Sequence, residues 1–79
     1  MNLTLLQQSV LLALTKEWQT PAQIAGQLPK ASENPSDVNQ SLKDLLREGL
    51  VQANPVVFGL YRLTTLGTTI KTTELRENQ

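Results

Sequence analysis

The sequence predicts a mainly α fold with a small β hairpin. Three observations predict it. Apolar residues recur at helical spacing in three successive segments up to Glu48. Two short strand-like runs follow, joined by a turn-rich loop. Helical spacing then returns toward the C-terminus. The 79 residues read as a single domain, 1–79, near the lower size at which an apolar core holds without staples.

The first predicted helix runs from Leu3 to Lys16. Thr4-Leu5-Leu6-Gln7 reads as a capping box, in which the threonine oxygen and the glutamine side chain each take the other's backbone amide. Leu6, Val10, Ala13 and Leu14 share one face, with Leu3 just before it. Leu5 and Leu12 fall off that face as a second, narrow apolar stripe. They are expected either to meet the C-terminal helix through Ile70 or Leu75, or to form a homodimer seam. Trp18 is expected in the core or in a short edge strand near Trp18–Thr20.

Thr20-Pro21-Ala22-Gln23 is a second capping box, with proline in the first helical position, where its missing N–H costs nothing. Ile24 and Leu28 point inward, and Pro29 ends this short helix. The third helix is predicted over 34–48. Asn34 caps it, Pro35 suits its first turn, and Asp37 favours its positive end. Val38, Leu42, Leu45 and Leu46 form its apolar face. Ser36, Gln40, Lys43, Asp44 and Arg47 lie opposite, with Asn39 on the flank. Gly49 stops it as a left-handed cap residue.

Leu50–Ala53 and Leu60–Leu63 read as the two strands, and Asn54–Gly59 as the hairpin loop. In that loop Val56, Val57 and Phe58 are open to two readings. Either the loop folds back and buries Phe58 or Val56, or it presents an apolar tip to a partner. Thr64 caps a last helix over Thr65 to Arg76, with Leu66, Ile70 and Leu75 facing in. Thr68, Thr69, Thr72 and Thr73 are poor helix formers, so this helix must lean on tertiary contacts.

Composition excludes several function classes. The chain has no Cys and no His, so thiolate and imidazole chemistry are absent and the commonest metal ligands are missing. Its glycines sit singly, so no phosphate-cradling loop is present. No calcium-loop spacing occurs. The expectation is a protein that is not an enzyme, with no cofactor and no metal. No apolar run is long enough to cross a bilayer and no signal peptide opens the chain, so a cytoplasmic protein without a membrane partner is expected.

Several pieces stand together in chain order. They are Leu3-Thr4-Leu5-Leu6-Gln7 with Val10-Leu11, Thr20 to Ala25 with Leu28, and Val38 with Leu42 and Leu45. Gly49-Leu50-Val51 and Tyr61-Arg62-Leu63-Thr64 with Gly67 complete the set. Over about residues 3 to 70 this order resembles the winged helix-turn-helix core of MarR- and PadR-type transcription factors. The resemblance implies a DNA-binding transcriptional regulator, working as a homodimer on double-stranded DNA. The third helix would read the major groove and the hairpin would meet the backbone or minor groove. Ser36, Asn39, Gln40 and Lys43 match the base-reading positions. Arg47, Lys30 in the turn and Arg62 on the hairpin are the corresponding candidates for phosphate contact.

A second reading stands beside it. Basic and acidic residues balance at seven each, and the hairpin loop carries no Lys or Arg. Asp37 and Asp44 lie on the outward side of the third helix. These features suit a protein–protein interaction module that touches no nucleic acid, using Leu5, Leu12, Val56, Val57 and Phe58 as its interface.

Overall fold

The computed structural model describes residues 2–28 and 34–75. Helix α1 spans Leu5–Ala13. Its start follows the sequence: Thr4 Oγ1 accepts the Gln7 amide at 3.0 Å, and Gln7 Oε1 accepts the Thr4 amide at 2.9 Å. It ends before Lys16 because Leu14 turns extended, with ψ 151°. Helix α2 (Pro21–Ala25) repeats the device through Thr20 and Gln23, at 3.1 and 2.9 Å. Helix α3 (Pro35–Arg47) is capped by Asn34, whose Oδ1 accepts the Ser36 amide at 2.9 Å. It closes at Gly49, whose φ of 80° is the left-handed turn expected there.

Strands β1 (Val51–Ala53) and β2 (Tyr61–Leu63) form an antiparallel hairpin in the register Val51–Leu63, Gln52–Arg62, Ala53–Tyr61. Strand alternation buries Val51 and Leu63 and sends the Gln52–Arg62 pair to the other face. The link between α1 and α2 pairs with the far side of β2. The Gln19 and Tyr61 amides and carbonyls exchange bonds of 2.9 and 2.8 Å, and the Leu63 amide donates to Thr15 at 2.9 Å. The expected strand near Trp18–Thr20 is therefore a single bridge, because the ladder jumps from Thr15 to Gln19 across a bend.

Helix α4 (Thr65–Ile70) is capped by Thr64, as expected, but gives way to a π-helical turn over Lys71–Leu75. A regular helix to Arg76 is not found, and Arg76 lies outside the described residues. The cause is local. Thr68, Thr69 and Thr73 donate their hydroxyls to the carbonyls of Thr64, Thr65 and Thr69 at 3.0, 3.1 and 2.7 Å. Such back-bonding slightly destabilises a helix and often bends it. Lys71 Nζ donates to the Leu14 carbonyl at 2.8 Å, satisfying a group left over at the end of α1.

The core joins every element: Val10, Leu11 and Leu14 from α1, Ile24 and Leu28 near α2, Val38, Leu42 and Leu45 from α3, then Leu50, Val51, Leu63 and Ile70. Two burial expectations change. Leu11, outside the predicted stripe, is fully buried, because α1 is flanked by both α3 and the C-terminal segment and buries more than one stripe. Leu66, expected inside, is 48% exposed. Gly67 is the α4 residue that meets Leu50, so the neighbouring position turns outward. No helix among the described residues is long and apolar enough to cross a membrane.

Candidate functional site

The candidate surface begins on α3. Its apolar side is anchored by Val38, Leu42 and Leu45, which are at most 1% exposed. The opposite side is open, and Ser36, Asn39, Gln40, Lys43 and Arg47 are all exposed there. These five candidates therefore share one helix and its solvent face. Lys43 makes no ion pair or hydrogen bond among the described residues. Lys30 lies outside the described residues.

The face is organised around Asp44. Gln40 Nε2 donates to Asp44 Oδ1 at 3.1 Å and an Arg47 guanidinium nitrogen donates to the same oxygen at 2.8 Å. Gln7 Nε2, from the α1 cap, donates to Oδ2 at 3.0 Å. One carboxylate thus ties the start of α1 to the end of α3. It also neutralises Arg47 on the spot, so Asp37 and Asp44 offset Lys43 and Arg47 along the helix. The Gln40 hydrogen bond, helped by Gln7 and Arg47, holds the Asp44 carboxyl below its ordinary 3.8 against the opposing effect of desolvation.

That shift has a sign. A carboxyl more acidic in the folded than in the unfolded chain stabilises the fold above its unfolded value, and that contribution vanishes as pH falls through the folded value. Asp44→Asn is therefore expected to flatten the loss of stability below about pH 4. Urea midpoints measured from pH 7 down to pH 2 check this. A variant curve parallel to the wild type would contradict it.

The hairpin tip rules out one of the two readings of its apolar residues. Phe58 is 92% exposed, Val56 83% and Val57 52%, so the loop does not fold back and buries neither Phe58 nor Val56. The loop closes on itself instead. Asn54 Oδ1 accepts the Val56 and Val57 amides at 2.8 and 2.9 Å, and the Asn54 amide donates to Leu60 at 2.9 Å. Gly59 turns the chain with φ 88°. Leu5 is also solvent-facing, at 81%. Leu12 is half-buried and lines a depression with Ser9, Ala13, Gln27 and Leu28 near the end of α2.

Arg62 is separate from α3. It stacks over Trp18 with 4.2 Å between guanidinium carbon and ring centroid, and its Nε donates to Gln52 Oε1 at 2.9 Å. Lys16 approaches the same place from the α1–α2 link. Sequence reasoning missed Lys16, and it missed Gln7 and Asp44 as a joint between helices. The available signal for Lys16 was the expected edge strand, which brings its neighbours alongside β2.

Comparison with known family models, curated proteins and solved structures found no match to this chain.

Proposed function

We propose that this chain is a winged helix-turn-helix DNA-binding domain of a transcriptional regulator, acting as a homodimer, with α3 reading the major groove. The observation that carries the reading is the open row of Ser36, Asn39, Gln40 and Lys43 on a helix whose other side is locked into the core. Side chains on so firmly seated a rod keep their spacing when they meet base edges. Asn39 and Gln40 offer the bidentate pattern that matches adenine, and Lys43 offers donors for guanine. Arg47 would exchange its bond to Asp44 for a bond to DNA. A hydrogen bond contributes only about 1 kcal/mol net, so the exchange is cheap at an exposed site. A single helix reads few base pairs, and a two-fold dimer doubles them.

Fluorescence polarisation with labelled duplexes tests the assignment. Gln40→Ala is expected to lose about 1 kcal/mol more on the preferred sequence than on random duplex. Lys43→Ala is expected to weaken binding on every sequence and to lower the salt slope by about one. Unchanged affinity in both variants would overturn the assignment of α3.

The exposed Phe58 tip and the balanced charges of α3 favour a second reading, a protein–protein module of the same architecture. The two readings part at low salt. A DNA binder holds random duplex in a salt-sensitive way, and the interaction module does not hold it at all.

A further inference from the structure

A chain of hydrogen bonds runs from the start of α1 to the open face of α3, and every link in it has one direction. The Thr4 backbone amide can only donate, so it takes the Gln7 oxygen, Oε1, at 2.9 Å. That leaves the Gln7 nitrogen to face Asp44, whose Oδ2 accepts it at 3.0 Å. Arg47 donates to the other oxygen, Oδ1, at 2.8 Å, and Gln7 keeps the carboxylate in place even when Arg47 lets go. Oδ1 is also the acceptor for Gln40 Nε2, at 3.1 Å. A carboxylate accepts and does not donate, so the reversed Gln40 amide would set oxygen against oxygen.

A glutamine amide has two N–H donors and one carbonyl oxygen. Asp44 takes one donor from Gln40, and Gln40 Oε1 accepts no hydrogen bond among the described residues. With the hydrogen far from Oε1 given to Asp44, what remains is one N–H beside one oxygen. That pair matches adenine, whose N7 accepts and whose N6 amino group donates. Guanine presents two acceptors, N7 and O6, and an amide with one spare donor cannot meet both.

We propose that Asp44 is a positioning residue for base reading: it fixes the Gln40 amide so that α3 selects adenine over guanine at the position Gln40 meets. This rests on the DNA-binding reading and names the base that Gln40 takes. Gln40 keeps its Asp44 bond in the complex, so its orientation carries over from the free protein and binding costs it little rotamer freedom. Without Asp44 the amide turns freely and both its hydrogens can go to guanine.

Polarisation of the full chain on two probes tests this. One is a randomised duplex pool, and the other is the duplex that the wild type selects from it, with each base pair exchanged in turn. Gln40→Ala identifies the position, as the one whose preference it removes. The wild type is expected to prefer adenine there, and Asp44→Ala and Asp44→Leu to narrow that preference over guanine by about fivefold or more. Preferences at the other positions are expected to stay as in the wild type, which a merely structural role for Asp44 would not leave untouched. Neither new side chain can accept a hydrogen bond, so either variant decides the matter if the other does not fold. Glu48→Gln removes the same charge four residues further along and leaves the Asp44 bonds in place. It is expected to strengthen binding to the pool with the adenine preference unchanged. A wild-type preference in the folded Asp44 variants, or guanine preferred at that position, would overturn the positioning role and leave the α3 reading standing. An equal loss of preference in Glu48→Gln, or a loss spread over every position, would overturn it too. No duplex binding by the wild type, or no preference removed by Gln40→Ala, would overturn the reading beneath it as well.

Discussion

Gly67→Ala is expected to cost about 3 kcal/mol, lowering the thermal midpoint of a domain this size by about 12–24 °C. The methyl group would strike the Leu50 carbonyl oxygen and lie 2.9 Å from its carbon and 3.2 Å from Leu63 Cδ2. Leucine 63 can yield, but the Leu50 backbone cannot easily move. Its side chain is fully buried and its carbonyl accepts the Thr64 amide at 3.1 Å. The remaining escape is for α4 to lift away, which strains the Thr64 hydroxyl bond to Gly49 at 2.7 Å. In an uncrowded helix the same change would stabilise the fold by up to about 1 kcal/mol, so even the sign is informative. Circular dichroism melts read it directly, and a raised midpoint would mean that α4 does not rest on Leu50.

A comparable loss, about 3 kcal/mol, is expected for Leu11→Ala. The side chain is fully buried within the cluster that joins α1, α3 and the C-terminal segment. Truncation leaves a cavity in the packed core, and the loss grows with the part of it that the surroundings cannot fill. Leu5→Ala on the same helix is the matched control. Leu5 is 81% exposed, so its loss is expected to stay within about 0.5 kcal/mol. Urea denaturation of the two variants checks the pair. Equal losses would contradict the placement of α1.

Local chemistry made much of the fold legible in advance. Both capping boxes, the Asn34 cap and the Gly49 stop depend on residues within a few positions of each other, and all four occur. The hairpin follows from alternation, and the exposed row on α3 follows from its leucine spacing. What periodicity could not supply was the number of neighbours. One stripe suits a helix with one partner, whereas α1 has partners on more than one side, so Leu11 was missed. Leu66 failed because the sequence does not say that Gly67 marks the point of closest approach. The Asp44 joint pairs residues 37 positions apart, and no local pattern announces such a contact. The approach of Lys16 to Arg62 likewise depends on the link lying beside β2.

That placement of the link has an effect on self-association. A small sheet normally exposes unpaired backbone at both margins, where another chain can add a strand. Here β2 is flanked by β1 on one side and by Thr15 and Gln19 on the other, so it offers no margin at all. Among the described residues, what remains open is the far side of β1, which is three residues long and a poor template for cross-chain pairing. Copies of this chain should therefore meet through side chains rather than by sheet extension, and conditions that detach the link would be those that start aggregation.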